Sequence, residues 1–182
     1  METILWRRID QTGMERCVLE PVPDGYRLAG TVLLVVDDSP IEIRYSILTD
    51  SAWQPRTVGA HVQTSSGDRR LALNGDGAGS WSTGDEPVLE LYGALDVDLA
   101  WTPATNALAI RRLDLDVGES AEASTVYIAF PAHEIERKTH CYERLALRRY
   151  RYQSGDYQVD LTVNEQGMVV AYPGGWTAEA EA

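Results

Sequence analysis

Two aspartates, Asp96 and Asp98, and two arginines, Arg111 and Arg112, flank a short stretch that also carries an indole, Trp101. On an extended chain, carboxyl groups two residues apart share a face about 6.5–7 Å from each other. That is near the separation at which paired carboxylates serve as acid and base in inverting glycosidases. The same spacing suits two acids on a polar strand face held by basic neighbours, and the arginines could supply those neighbours. On an extended segment Arg111 and Arg112 would point opposite ways, so at most one could reach a cavity. There its planar fork would suit a carboxylate or phosphate. Other chemistry is poorly represented. His61, His133 and His140 show no local ligand spacing, so no metal or other cofactor is indicated. A GxSxG elbow is absent, and Cys141 with His133 comes with no oxyanion element. Residues 74–80 (NGDGAGS) have neither the Lys nor the strand-to-helix context of a phosphate loop, and read as a hairpin turn.

The element that carries the acids reads as a strand. Leu95, Val97, Leu99 and Trp101 alternate with Asp96, Asp98 and Ala100, a period of two that puts the indole opposite both carboxylates. Thr102-Pro103 stops the ladder, Thr105 and Asn106 favour a turn, and residues 108–113 form a second short element. If the two elements pair as a hairpin, Asp98 falls opposite Arg111 or Arg112. An ion pair between Asp96 or Asp98 and Arg111 or Arg112 is therefore expected. It would hold the loop 102–107, with Asn106 at its rim and Trp101 packed on the apolar side.

Period-two segments recur along the whole chain at hairpin spacing. They span 4–9, 14–22, 26–36, 41–49, 56–64, 69–73, a short strand at Trp81, 124–130, 149–153, 157–163 and 168–172. Residues 139–147 fit strand or helix, with strand favoured by position, and 131–138 are compatible with a turn of helix. The run at 32–36 (VLLVV) reads as buried on both faces. About a dozen short strands make the chain all-β or β-dominated, and a barrel or strongly curved open sheet is the usual way to protect so many edges. Residues 1–176 are expected to form one domain, and 177–182 an acidic tail that frays.

With 182 residues and a formal net charge of −12, the chain is long enough for a real core, and it lacks the basic stripe that nucleic acid or an anionic membrane surface requires. Five Trp and nine Tyr stand against one Phe, a bias that suits strands and also cavities with polar ends or sugar faces. Cys17 and Cys141 show no paired spacing. The opening METILWRRIDQTG has no signal-peptide pattern, and no apolar run approaches a membrane span. The expectation is a soluble, cytoplasmic protein with reduced cysteines and no integral membrane segment.

The string LDVDLAWTPATNALAIRRL (residues 95–113) resembles the central motif of a family of bacterial glycolipid-binding proteins. RYSILTDSAWQPRTV, ending at Val58, resembles an upstream block of that family. Residues 142–176, from YERLALRRYRYQS to NEQGMVVAYPGGW, resemble its C-terminal block. The likeness covers nearly the whole chain, most weakly over 1–40 and 66–85. It implies a single curved, incompletely closed antiparallel β-barrel with little helix around a hydrophobic cavity, related to lipoprotein and glycolipid carriers. Residues of the matching blocks that could line such a cavity are Trp53, Arg56, Trp101, Asn106, Arg111, Arg112, Tyr142, Tyr150, Tyr152 and Trp176. The function implied is non-catalytic binding of an amphipathic lipid or glycolipid. Two other readings stand beside it: a hydrolase of a sugar or acyl conjugate using Asp96 and Asp98, and a structural or interaction protein whose core is filled by its own side chains.

Overall fold

The computed structural model describes residues 1–130 and 134–182. Alternating side chains drive the architecture. In Ser39–Asp50, Ile41, Ile43, Tyr45 and Ile47 are buried while Arg44 and Leu48 are exposed, so one face must be covered and one can meet water. The first long meander runs β1 (Glu2–Arg8), β2 (Gly13–Val22), β3 (Gly25–Val36), β4 (Ser39–Asp50), β5 (Pro55–Thr64), β6 (Gly67–Gly75), β7 (Trp81–Thr83) and β8 (Glu86–Pro87). A 3-10 turn (Leu89–Leu91), β9 (Asp96–Leu99) and the helix α1 (Asn106–Leu113) follow. The second meander runs β10 (Ser120–Ile128), β11 (Ile135–Ala146), β12 (Arg149–Ser154), β13 (Tyr157–Val163), β14 (Val169–Tyr172) and β15 (Trp176–Glu181). Between β3 and β4, Asp37 and Asp38 both take positive φ, 49° and 58°. That is the two-residue turn whose twist matches antiparallel strands.

All the strands form one sheet in the order β8-β7-β6-β5-β4-β3-β2-β1-β15-β14-β13-β12-β11-β10-β9. Every pairing among the described residues is antiparallel except β9 with β10, which is parallel. The outermost strands β8 and β9 do not hydrogen-bond to each other, so the barrel is open along one seam. The connector crosses that seam: Gly93 N–H donates to Gly79 O, Trp81 Nε1 to Ala94 O, and Arg137 Nη1 to Tyr92 O. This is the curved, incompletely closed, β-dominated barrel expected from the sequence.

Several local expectations are corrected. Residues 108–113 are helical, not extended, so β9 has no hairpin partner there and lies instead against β10. The run at 32–36 has one buried face only: Val32 and Leu34 point inward, whereas Leu33 is 53% exposed. Residues 177–181 do not fray; they complete β15 and pair with β1. Ile135–Lys138 are strand rather than helix, and the first three residues of that expected turn lie outside the described residues.

The helix also changes the expected interior. Residues 101–110 are all buried. Trp101, Ala104, Ala107 and Leu108 pack with the first meander, and Ala109 and Ile110 with the tyrosine-rich face of the second. Asn106 sits near the rim that carries Arg8 and Trp176; Arg111 and Asp114 sit near the opposite rim. A helix of this length rises about 12 Å, and its alanines keep it slim and favour the helical state. Asp114 closes it in the left-handed conformation, donating its N–H to Ile110 O at 3.2 Å. The helix is a plug. It occupies interior space where the family resemblance implies a hydrophobic cavity.

One ion pair fastens the plug to the wall. Arg112 donates to Asp96 through Nε (2.8 Å) and Nη2 (2.6 Å), and the Asp96 side chain is 1% exposed. The sequence leaves four combinations open, and Asp96–Arg112 is the pair that forms. Trp101 lies on the apolar side as expected, edge-on to Phe130 with centroids 6.2 Å apart. Removing one partner of such a pair leaves a buried charge unopposed, at a cost of about 3–5 kcal/mol. Asp96→Asn and Arg112→Gln should each lower the urea unfolding free energy by that order. The double variant should recover more than about 1 kcal/mol of the summed loss; strictly additive losses would show that the two groups are not coupled.

A polar, aromatic cleft at one rim as the candidate functional site

Strand ends converge at the rim above the helix N-terminus. β1 ends at Arg8 and β9 at Leu99. β12 and β13 meet near Ser154 and Tyr157, and β14 and β15 near Tyr172 and Trp176. Between them lies a cleft of about 360 Å³. Leu99, Thr102, Pro103 and Asn106 line its plug side, and Tyr127, Tyr152, Tyr157, Tyr172 and Trp176 line its walls. Arg8, Asp10, Asp98 and Lys138 bring two charges of each sign to it.

Asp98 is the polar centre. Its Oδ1 accepts from Thr105 Oγ1 at 2.9 Å and its Oδ2 from the Tyr152 hydroxyl at 3.3 Å. A carboxylate offers about four acceptor sites, so capacity remains for a ligand. Behind it, His140 is buried with Nδ1 3.7 Å from Asp98 Oδ2 and 3.3 Å from the Tyr152 oxygen. Burial lowers the His140 pKa, opposed by the nearby Asp98 charge, so the imidazole is neutral at pH 7. Burial, reinforced by Asp98, pushes the Tyr152 phenol far above its ordinary value. Tyr152 is therefore a fixed hydroxyl donor and not a base. Tyr157, 49% exposed, sets its ring edge-on to Tyr152 with centroids 6.4 Å apart.

The remaining charges are spoken for. Arg8 donates to Asp10 through Nε (2.7 Å) and Nη2 (3.0 Å) and lies over the Trp176 ring, 5.3 Å from its centroid. Lys138 Nζ sits 3.6 Å from the Tyr127 ring centroid and 2.9 Å from Glu136. Asn106 uses both ends of its amide: Nδ2 donates to Pro103 O at 3.0 Å and Oδ1 accepts from the Tyr142 hydroxyl at 2.9 Å. It lines the cleft while holding the start of the helix.

The residues singled out from sequence thus divide. Asn106, Tyr152 and Trp176 meet at this cleft, with Tyr142 directly behind Asn106. Trp101 is core and Arg112 belongs to the Asp96 pair. Trp53, Arg111 and Tyr150 gather at the opposite rim, where Trp53 stacks on Tyr26 (3.7 Å) and the Arg111 guanidinium lies 5.0 Å from the Trp53 ring centroid. Arg56 reaches Asp50 at 3.5 Å and lines neither opening. The two acids of the motif do not act as a pair at the cleft: Asp96 is held by a guanidinium and does not line it, and Asp98 does. In the glycine-rich loop, the N–H groups of Ala78 and Ser80 are taken by the carboxylate of Asp76, as in a hairpin turn. His61 pairs with Asp68 at 2.9 Å, and His133 lies outside the described residues. Among the described residues no cluster of His, Cys, Asp and Glu could hold a metal.

Sequence reasoning missed Tyr157 and Tyr172. Both stand at strand ends beside turn residues, and that is the available signal, since strand ends at one rim must share a mouth. It also missed Glu15, whose partial alternation hides that it points inward. Glu15 is 0% exposed, and its Oε1 accepts from Tyr45 Oη at 2.5 Å and from Thr102 Oγ1 at 2.8 Å. Tyr45 can lie there because Gly30, its cross-strand partner, has no Cβ; one would come within 2.6 Å of the ring. Glu15 Oε2 has no hydrogen-bond partner among the described residues. Burial pushes the Glu15 pKa up to about 8, against the lowering effect of the Tyr45 and Thr102 hydrogen bonds.

The chain belongs to a family of small open-barrel proteins, the one described as "Putative glycolipid-binding", whose model matches residues 3–178. The crystal structure of a DUF1089 family protein from Pseudomonas aeruginosa superposes with a TM-score of 0.82 at 32% identity, covering 92% of both chains. No curated protein matches in sequence. The described residues include no helix long and apolar enough to cross a membrane.

Glu15 yields a prediction of definite sign. Its folded pKa stands above its ordinary value of 4.5, so the folded state keeps a proton that the unfolded chain releases. Its contribution to stability is full below about pH 4.5 and is lost progressively as pH rises to about 8. Glu15→Gln cannot ionise. Urea unfolding at pH 5, 7 and 8.5 should show the variant gaining on the parent by a few kcal/mol across that range, at about 1.4 per pKa unit. A difference that does not change with pH would mean that Glu15 is not held neutral.

Proposed function

We propose that the protein is a non-catalytic binder of an amphipathic glycolipid whose sugar-bearing end occupies the rim cleft. The observation that carries this reading is the pairing of one part-buried carboxylate that has spare acceptor capacity, Asp98, with a ring of tyrosines around an opening of about 360 Å³. Sugar hydroxyls are donors that a carboxylate accepts, and the apolar faces of a sugar ring suit aromatic walls. The opening lies at the small end of the usual range for ligand sites, which fits one or two sugar units. The balance of charge around it favours a neutral head group over an anionic one. The family description supports the ligand class.

The same geometry supports binding without catalysis. Beside Asp98 at the cleft, Asp10 is held by Arg8, Asp96 is paired with Arg112 outside it, and His140 is buried behind Tyr152 and Asp98. Cys17 and Cys141 are both free and Cys17 is buried, which supports a place in a reducing, cytoplasmic compartment. The filled interior supports the rival reading, a scaffold that holds no ligand.

Calorimetric titration with short alkyl β-glucosides separates the two. The parent protein should bind. Tyr157→Ala, at an exposed position, should weaken binding about tenfold, the worth of one aromatic contact. Asp98→Asn should weaken it by about ten- to a hundredfold, as expected for a charged hydrogen-bond acceptor. Absence of heat and of any thermal shift with these sugars, together with no lipid in organic extracts of the purified protein, would favour the scaffold.

A further inference from the structure

The outward face of β3 carries an apolar row that the fold does not use. Met14, Leu33 and Glu42 are directly paired across β2, β3 and β4, as are Val35 and Pro40. Leu33 is 53% exposed, Met14 41% and Val35 38%. At the rim these side chains and the edges of the inward-facing Leu34 and Ile41 bound a groove of about 630 Å³. Gly13 helps to shape it, since a Cβ there would come within 2.5 Å of Leu34 Cδ2. Among the described residues Glu42 is the one charged residue lining the groove, and it is engaged by Arg44 at 2.6 Å. In a chain that is 24% charged, such a lining stands out. An apolar surface of this kind marks an interaction site.

Its position suggests what covers it. The groove is at the same rim as the polar cleft, and the β1–β2 turn separates the two. Arg8 and Asp10 of that turn face the cleft, Thr12 and Met14 face the groove, and the turn itself also carries exposed Ile9. Arg8 lines the cleft and Gly13 the groove, and a Cβ on Gly13 would stand 3.5 Å from Arg8 Cβ, so the two openings begin on adjacent strands. Residues 101–110 occupy the interior behind the cleft.

We infer that the groove of Met14, Leu33, Val35 and Pro40 holds the hydrocarbon chain of the ligand whose head occupies the rim cleft. The ligand thus straddles the β1–β2 turn on the outside of the barrel. This inference rests on the glycolipid reading above and adds the location of the chain. It makes affinity depend on chain length, by up to about fourfold per fully buried methylene, and less in an open groove.

The test is a titration with butyl, hexyl, octyl and decyl β-D-glucopyranoside, each below its micelle concentration, against the parent protein, Leu33→Asp and Tyr157→Ala. The parent should bind more tightly with each added pair of carbons. Leu33→Asp, at an exposed position that keeps the core intact, should bind the butyl compound as the parent does and lose the rise with length. Tyr157→Ala should weaken every member of the series alike. Leu33→Trp supplies a second readout: the emission of the introduced indole should be quenched by a glucoside with a brominated chain. An undiminished rise with length in Leu33→Asp, together with no quenching in Leu33→Trp, would overturn the groove while leaving the head-group cleft standing. A parent that binds all four equally would do the same. Binding of none would remove both readings. A parent dimer that Leu33→Asp converts to monomer, with the rise with length unchanged, would make the groove a contact between copies of this chain and overturn its role as a chain site.

Discussion

A sheet whose two edges never meet cannot hold its curvature by backbone hydrogen bonds alone. Here the constraint is met from inside. The segment from Trp101 to Ile110 contacts both meanders and is tied to each by a polar link as well as by packing. Thr102 reaches Glu15 on β2, Asn106 receives Tyr142 from β11, Arg112 grips Asp96 on β9, and Arg111 donates to Gln166 O at 2.6 Å in the β13–β14 turn. These links lie at different heights along the short helix and the turn that leads into it. The helix is thus a pin through an open cylinder, and the shape of the mouth above it is set by where the pin begins.

The price of that arrangement is polar chemistry inside an apolar core. Glu15 and Asp96 are both fully enclosed, yet they are handled differently. Asp96 is matched by a guanidinium that satisfies both oxygens, so its charge can persist in a low-dielectric site. Glu15 has only neutral donors, both on one oxygen, so the protonated form prevails. One acid fixes the plug by charge and the other by neutral hydrogen bonds. Both hold the segment that forms the floor of the cleft.

Most of the sheet was legible in the sequence because a half-buried strand writes itself as alternation, and β4 and β13 show it plainly. The ion pair was legible for the same reason, since opposite charges flank one loop. The helix was not. Residues 106–113 are too few for a helical period to emerge over an extended one, and the alternation just before them invites a hairpin. The exposed face of β3 was hidden by its own composition: VLLVV gives no polar residue to mark the outward side. The cleft was only half visible. Its residues come from strand ends far apart in sequence, so Tyr152 and Trp176 were found by their blocks, while Tyr157 and Tyr172 needed the topology. The same geometry sent Trp53 and Tyr150 to the far rim, because nothing in a linear string records at which end of a barrel a residue lies.

The order of the strands has a consequence for how the molecule comes to exist. β1 and β15 are neighbours in the sheet, and Trp6 donates its indole N–H to Val169 O, 163 positions away, at 2.6 Å. β1 therefore waits through the synthesis of every other strand without one of its two partners. Each meander can form from local hairpins as it emerges, but joining them must wait until β15 leaves the ribosome. Contacts of such long separation slow folding and leave strand edges open to the wrong neighbours. The inward-facing Trp6 and Ile4 of β1 belong to that unpaired edge, so the nascent barrel is most exposed to misassembly at its oldest strand.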